Sequence, residues 1–423
     1  MADLTSEFLG IKSPNPFWLA SAPPTDKAYN VNRAFEAGWG GAVWKTLGEA
    51  GPPIVNVSGP RYSALHSNER RVIGFNNIEL ITDRPLETNL EEIRQVKRDW
   101  PDRALVVSVM LPMNEKAWAD HVPMIEDTGA DALELNFGCP HGMSERGMGA
   151  AVGQVPEYIQ MATEWCKQAA SIPVIVKLTP NVSSIVPPAK AAKDGGADAV
   201  SLINTVNSIM RVNYDTLTMY PTTDGMGTHG GYCGEAVKPI ALNMVAEIAR
   251  TADTGNIPIS GIGGITDWRD AVDFLALGAS NVQVCTAAMV YGFKIIDDLT
   301  DGLSTFLDDK GMTSVAELVG KAVPSVTDWQ YLNLNYVEKA VIDQDLCIKC
   351  GRCHIVCEDT SHQAITNVVN GERYFEVIDD ECVGCNLCVS VCPVDSCITM
   401  KQVPNDDEPR NWTQHPNNPM RKT

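Results

Sequence analysis

A cysteine at the head of a glycine-rich loop is the first residue of this chain with chemistry to offer. Cys139 follows a short apolar run, Ala132–Asn136, and opens a loop holding Gly138, Gly142, Gly147, Gly149 and Gly153. The run reads as a buried strand that fixes Asn136, and the glycines leave the following segment free to open and close. An unperturbed thiol has a pKa near ~8.5, so at neutral pH it is mostly protonated and serves as a proton donor. Reducing a conjugated C=C needs a hydride on one carbon and a proton on its neighbour. A flavin can give the hydride from one face, and an acid on a movable cover the proton from the other. On the same loop His141 is placed to tune Cys139, and Arg146 to fasten the cover.

Asn77, Asn136 and Asn204, with Thr205 beside the last, form a second set. Each carboxamide offers a donor pair and an acceptor, and a ring with alternating N–H and C=O groups, such as a pyrimidine, matches several at once. Any one of them alone reads as a strand-end cap. Lys45 and Lys177 end apolar strands, where an ammonium needs an anion or a carbonyl-rich ring. Either one beside a flavin N1–C2=O edge would stabilise the reduced anionic form; the other reading is a structural ion pair. Gly263–Gly264 and Cys285–Thr286 follow the last two strands and can present backbone N–H groups to one phosphate, which suits a mononucleotide.

The third set is a double cysteine run. Cys347, Cys350, Cys353 and Cys357 repeat as Cys382, Cys385, Cys388 and Cys392, the last followed by Pro393. This is the bacterial ferredoxin spacing for two [4Fe–4S] clusters, in which the fourth cysteine of each run serves the other cluster. Cluster one is expected on Cys347, Cys350, Cys353 and Cys392, and cluster two on Cys382, Cys385, Cys388 and Cys357. A zinc site has no use for eight ligands at this spacing. Cys357 precedes Glu358 rather than proline, and Cys397 is left over as a small core residue.

Eight apolar runs must position the first two sets: residues 17–21, 42–46, 104–110, 132–136, 174–178, 199–204, 258–262 and 282–286. Segments of helical period lie between most of them, at 89–100, 117–128, 157–170, 184–194, 238–252 and 268–277. Continuous apolar strands alternating with helices indicate a parallel sheet covered by helices. Four recurrences of glycine leading straight into a strand favour an α/β fold of the (β/α)8 TIM-barrel kind over an open sheet. In such a barrel the site gathers at the C-terminal strand ends, here joined by long loops at 47–88, 137–154 and 206–234. The domains expected are a catalytic barrel over 1–335, a double [4Fe–4S] ferredoxin-like unit over 336–400 and a polar tail over 401–423 that is either disordered or laid across a partner.

No GxGxxG opens a helix, so no dinucleotide fingerprint is present. A net charge of −20 argues against nucleic acid. No apolar run is long enough to span a membrane, and the acidic start lacks a signal pattern. The expected location is therefore the cytoplasm.

The segment 136–149, NxxCPHGMxERGMG, occurs with NNIEL at 76–80, KLTPN at 177–181, INTV at 203–206, GIGGI at 261–265 and the double cysteine run. Together these resemble the dihydropyrimidine dehydrogenase family in the form of its bacterial catalytic subunit, whose barrel is related to the dihydroorotate dehydrogenases. The resemblance covers nearly the whole chain apart from the tail. It implies FMN in the barrel, two [4Fe–4S] clusters and reversible reduction of uracil and thymine to their 5,6-dihydro forms. Cys139 would protonate C5 while FMN N5 delivers hydride to C6. By motif match Asn77, Asn136, Asn204 and Thr205 would hold the pyrimidine, and Ala20, Ser21, Lys45, Lys177, Gly264, Cys285 and Thr286 would contact FMN. The resemblance also implies a separate FAD- and NAD(P)-binding flavoprotein subunit that brings electrons from NADH or NADPH, and homodimerisation of the barrel within a heterotetramer.

One departure matters: the family usually carries serine where this chain has Gly138, which leaves preference among 5-substituted rings open. Two rival functions use the same parts. A dihydroorotate-type dehydrogenase needs a cationic clamp for a carboxylate, and the rim offers only the two lysines. An electron-transfer subunit would keep the barrel as a scaffold without flavin.

Overall fold

Eight wholly buried runs form the strands of one closed parallel barrel: β1 Phe17–Leu19, β2 Gly41–Leu47, β3 Ala104–Val109, β4 Ala132–Asn136, β5 Val174–Lys177, β6 Ala199–Leu202, β7 Ile259–Ile262 and β8 Asn281–Val284. Each pairs with its successor, and β8 closes on β1. The computed structural model describes residues 2–420 apart from 52, 53, 361 and 406. The chain parts into two units, residues 1–326 and 327–423.

The six expected helices lie at Leu86–Asp99, Glu115–Glu126, Pro156–Ala169, Val186–Asp194, Lys238–Arg250 and Trp268–Ala276. Two further long helices, Ala28–Ala37 and Ile295–Asp309, complete the outer ring. The first carries two weak helix formers, Asn30 and Asn32; its apolar face, Val31, Ala34 and Phe35, holds it in place. Four fully buried tryptophans, Trp18, Trp39, Trp44 and Trp118, anchor the packing. Their indole N–H groups donate to Ser13 Oγ, the Phe293 carbonyl, Asn89 Oδ1 and the Pro112 carbonyl. Truncating one such side chain costs about 3–5 kcal/mol.

The barrel interior changes character along its axis. Phe8, from an N-terminal hairpin of Ser6–Phe8 and Ile11–Ser13, joins Trp18, Val43, Val106 and Ile175 in an apolar layer. Above it the inward positions turn polar: Ser108, Glu134, Ser201, Ser260 and Gln283, all buried. The long loops are not loops throughout. Tyr62–His66 and Val72–Asn77 pair with Gly230–Cys233 and Val206–Ser208 in a four-stranded antiparallel sheet.

In the second unit Glu338–Ile342 pairs antiparallel with Ile398–Gln402, and short helices carry the later cysteines of the two runs, Arg352–Glu358 with Cys353 and Cys357 and Leu387–Val391 with Cys388. Residues 327–335, expected with the barrel, belong to this unit. The tail is ordered structure rather than a loose end. Leu334 N donates to the Arg410 carbonyl at 2.7 Å, Asn335 Nδ2 to the Glu408 carbonyl at 2.6 Å, and Trp412 packs on Trp329 at 6.2 Å between ring centres. Residues 421–423 of the expected tail lie outside the described residues. No helix among the described residues is long and apolar enough to cross a membrane.

Candidate active site

The C-terminal ends of the strands open into one cavity. Ala20 and Ser21 enter it after β1, Lys45 within β2, Asn136 and Lys177 at the ends of β4 and β5, Asn204 and Thr205 after β6, Gly263 and Gly264 after β7, and Cys285 and Thr286 after β8. Asn77 reaches the same space from the antiparallel sheet, and Cys139 from the loop after β4. The structure therefore brings to one cavity the residues expected from the sequence to meet the pyrimidine or the flavin, while Arg146 lies outside it.

The asparagines are tied into a fixed array. Asn136 Nδ2 donates to Thr46 Oγ1 at 3.0 Å, and Asn136 Oδ1 accepts from Asn204 Nδ2 at 2.9 Å and from the Gly138 amide at 3.2 Å. Asn204 Oδ1 accepts from the Thr205 amide at 2.8 Å. Asn77 Nδ2 donates to the Gly231 carbonyl at 3.0 Å. Each carboxamide is thus oriented by the protein and keeps part of its capacity for a ring. Thr46 shares the strand end with Lys45, and a register shift between Trp44 and Leu47 brings both to the cavity where strict alternation would turn only one inward.

Cys139 is half-buried and its Sγ donates to the His141 carbonyl at 3.4 Å. Burial pushes the thiol up to about 11, against a smaller downward pull from that hydrogen bond. It stays a protonated acid across the physiological range. The loop is folded on itself by Ser144 Oγ and the Ala150 amide, which donate to the Cys139 carbonyl at 2.6 and 3.0 Å. Two assignments change. His141 meets Cys139 through its main-chain carbonyl, while its ring Nε2 lies 3.0 Å from the Glu79 carbonyl; burial holds the imidazole below its ordinary value. Arg146 is exposed and makes no ion pair with a described residue. The fastener is Met143, buried against Ile81 and Met110, because the loop closes over an apolar patch rather than an anion.

Both lysines carry the ion pairs that were the alternative to a flavin role, and both also line the cavity. Lys45 Nζ lies 2.9 Å from Glu79 Oε1 and 3.6 Å from Asp26 Oδ2, and Glu79 also binds Arg61. Lys177 Nζ lies 3.3 Å from Glu134 Oε1. Glu79, two residues beyond Asn77, could have been found as the next inward position of that segment. Tyr62, Phe75, Tyr232 and Cys233 complete the wall from strands that carry no barrel signature.

The residues present fit FMN. Gly263 and Gly264 have φ of +133° and +76°, and a Cβ on Gly264 would come within 2.9 Å of the Gly234 carbonyl oxygen. Only glycine allows that cradle of backbone N–H groups. Gln283, on the wall, keeps a buried Oε1 with no partner, an acceptor that a ring N–H would satisfy.

The second unit fits two clusters. Cys357, Cys382, Cys385 and Cys388 line one small cavity, which is the crossed set expected for cluster two. The Ala364 amide donates to Cys357 Sγ at 3.2 Å. Cys353 packs with Cys347 and Cys392 in the core of this unit, where Cys397 is buried. Both runs fold alike: Lys349 and Gly351 in the first, Gly384 and Asn386 in the second, have positive φ. That turn sequence aims backbone N–H groups at the sulfurs.

Sequence comparison matches residues 3–307 to the dihydroorotate dehydrogenase family and residues 340–400 to the 4Fe-4S dicluster domain. The chain is 40% identical over 401 residues to the NAD-dependent dihydropyrimidine dehydrogenase subunit PreA of Escherichia coli strain K12, covering 95% of this chain and 96% of that one. It is 39% identical to the chloroplastic dihydropyrimidine dehydrogenase (NADP(+)) of Arabidopsis thaliana, over 82% of this chain and 83% of that one. It is 37% identical to the catalytic subunit of dihydroorotate dehydrogenase B (NAD(+)) from Pyrococcus abyssi, over 76% and 99%. Among solved structures, ligand-free DHODH of Eimeria tenella superposes with a TM-score of 0.62 at 20% identity, covering 76% of this chain and 92% of that one; this similarity bears on the fold alone.

Proposed function

This chain belongs to the dihydroorotate dehydrogenase family, with dihydropyrimidine dehydrogenase subunits as relatives over nearly its whole length, and from that premise we propose that it reversibly reduces the 5,6 double bond of uracil and thymine. The observation that carries the reading is a thiol kept protonated by burial, Cys139, on the wall of a cavity that also holds an oriented set of carboxamides.

In this reading Asn77, Asn136, Asn204 and Thr205 bind the pyrimidine edge and fix its plane. The closed loop excludes water. Cys139 Sγ holds the proton destined for C5 and recovers one from solvent after the loop opens. FMN would be held by Ala20, Ser21, Lys45, Lys177, Gly263, Gly264, Cys285 and Thr286, and when bound supplies the hydride for C6 and exchanges electron pairs for single electrons. Two [4Fe–4S] clusters on the eight cysteines would supply the one-electron transfer. With no dinucleotide fingerprint in the chain, electrons would come from NADH or NADPH through a separate FAD-binding flavoprotein subunit, in a heterotetramer built on a barrel homodimer.

The similarity to a dihydroorotate dehydrogenase B subunit favours a second reading. It needs a free cation for the orotate carboxylate, and both cavity lysines already face carboxylates. The test is a purified chain with measured iron and flavin, reduced anaerobically and mixed with uracil or orotate. Reoxidation by uracil is expected. Faster turnover of orotate would favour the second reading, and clusters without flavin would leave only an electron carrier.

A further inference from the structure

Behind the cavity wall lies a carboxylate that the scheme above does not use. Glu134, on β4, is fully buried. Its Oε2 accepts from Ser201 Oγ at 2.9 Å and from Gln283 Nε2 at 3.0 Å. Its Oε1 faces Lys177 Nζ at 3.3 Å and accepts no hydrogen bond.

Gln283 is buried on β8, two residues before Cys285. Its Nε2 donates to Glu134 and also to Ser260 Oγ at 3.0 Å, so both amide hydrogens are engaged. The opposite amide orientation would set Gln283 Oε1 against a carboxylate oxygen, two acceptors face to face. Glu134 therefore decides which end of Gln283 is free, and the free end is the partnerless Oε1 on the cavity wall. Lys177, against the other oxygen of the same carboxylate, has N–H groups left over and lines the same cavity. An acceptor beside a donor is the complement of an imide edge, an N–H next to a C=O. The isoalloxazine ring presents that edge at N3–H and its neighbouring carbonyl.

We propose that Glu134 is a positioning residue for the flavin: it holds Gln283 Oε1 as the acceptor for the ring imide N–H and Lys177 Nζ as the donor to the adjacent carbonyl. The inference rests on the proposed binding of FMN in this barrel. Sequence reading missed both residues because an acid and an amide inside an apolar strand carry no motif, and only barrel closure sets β4 and β8 facing one another.

The test uses the full-length chain, stripped of flavin and reconstituted anaerobically with FMN or with FMN methylated at ring N3, binding being read by flavin fluorescence. The native chain is expected to prefer FMN by roughly tenfold, the value of one buried hydrogen bond. Gln283→Met, which conserves volume, and Glu134→Gln are both expected to lose most of that preference. Glu134→Gln should also raise the FMN midpoint potential, since Lys177 loses its counter-charge beside the ring. An unchanged preference in Gln283→Met overturns the assignment. So does a Gln283→Met variant whose KM for uracil rises while its flavin preference stays native, because the acceptor would then read the substrate. A native chain that takes up no FMN overturns the proposed function along with it.

Discussion

Asn204 occupies the space that a side chain at position 138 would need. A Cβ on Gly138 would lie 2.3 Å from Asn204 Cβ and 2.4 Å from its Nδ2. The two positions are therefore one unit, and the departure from serine is matched by how closely Asn204 leans on the loop.

Gly138→Ser should push Asn204 away from Asn136, whose Oδ1 it now bonds at 2.9 Å. Overpacking of this kind costs about 1–3 kcal/mol. A rise in KM for uracil of roughly tenfold, with FMN content unchanged, is expected in steady-state assays. An unaltered KM would show that Asn204 has room to spare.

Cys139→Ala should lower turnover by roughly 10²–10⁴-fold, the usual worth of a general acid, while flavin reduction through the partner persists in stopped-flow traces. Because burial lifts the thiol to about 11, activity should hold through neutral pH and fall only as pH rises toward that value. A native chain whose activity collapses near an ordinary thiol pKa would sink this assignment.

The imidazole of His141 is held below its ordinary value by burial. The folded loop therefore resists a proton that the unfolded chain accepts. Stability from this group is present above about pH 6.5 and is lost as the pH falls below it. Amide exchange across residues 139–149, corrected for intrinsic rates, should be slower at about pH 7.5 than at about pH 5.5. His141→Gln should flatten that difference.

Cys357 shares its cavity with the second cysteine run, not the first. Cys357→Ala should thus remove the cluster held by Cys382, Cys385 and Cys388, taking iron from about eight to about four per chain. The electron paramagnetic resonance signal that survives should be the one lost in Cys350→Ala. If both substitutions abolish the same signal, the crossed ligation is wrong.

Much of this was legible along the chain. The strands announced themselves because a strand covered on both faces reads as a nearly continuous apolar run. The cysteine runs did so because a cubane demands fixed local spacing. Lys45, Lys177, Asn136 and Asn204 stood out as polar residues ending apolar runs, and closing the barrel is what makes those ends neighbours. The antiparallel sheet over the mouth was not legible: Val72–Asn77 pairs with Gly230–Cys233 across about 150 residues of chain. Nor was the packing of the tail on residues 329–335, where Asn335, Trp329 and Trp412 meet partners about 73 to 83 residues away that no local spacing announces.

The sequence by itself determined which groups are present and in what local order: a thiol after a strand, carboxamides at strand ends, eight cysteines in two runs. Tertiary structure decided which of their atoms are free. It turned Asn136 and Asn204 toward each other, gave each lysine its carboxylate, replaced Arg146 with Met143 as the fastener and left Gln283 Oε1 bare. Those outcomes depend on hydrogen-bond geometry and burial across strands far apart in the chain, which residue type and spacing do not encode.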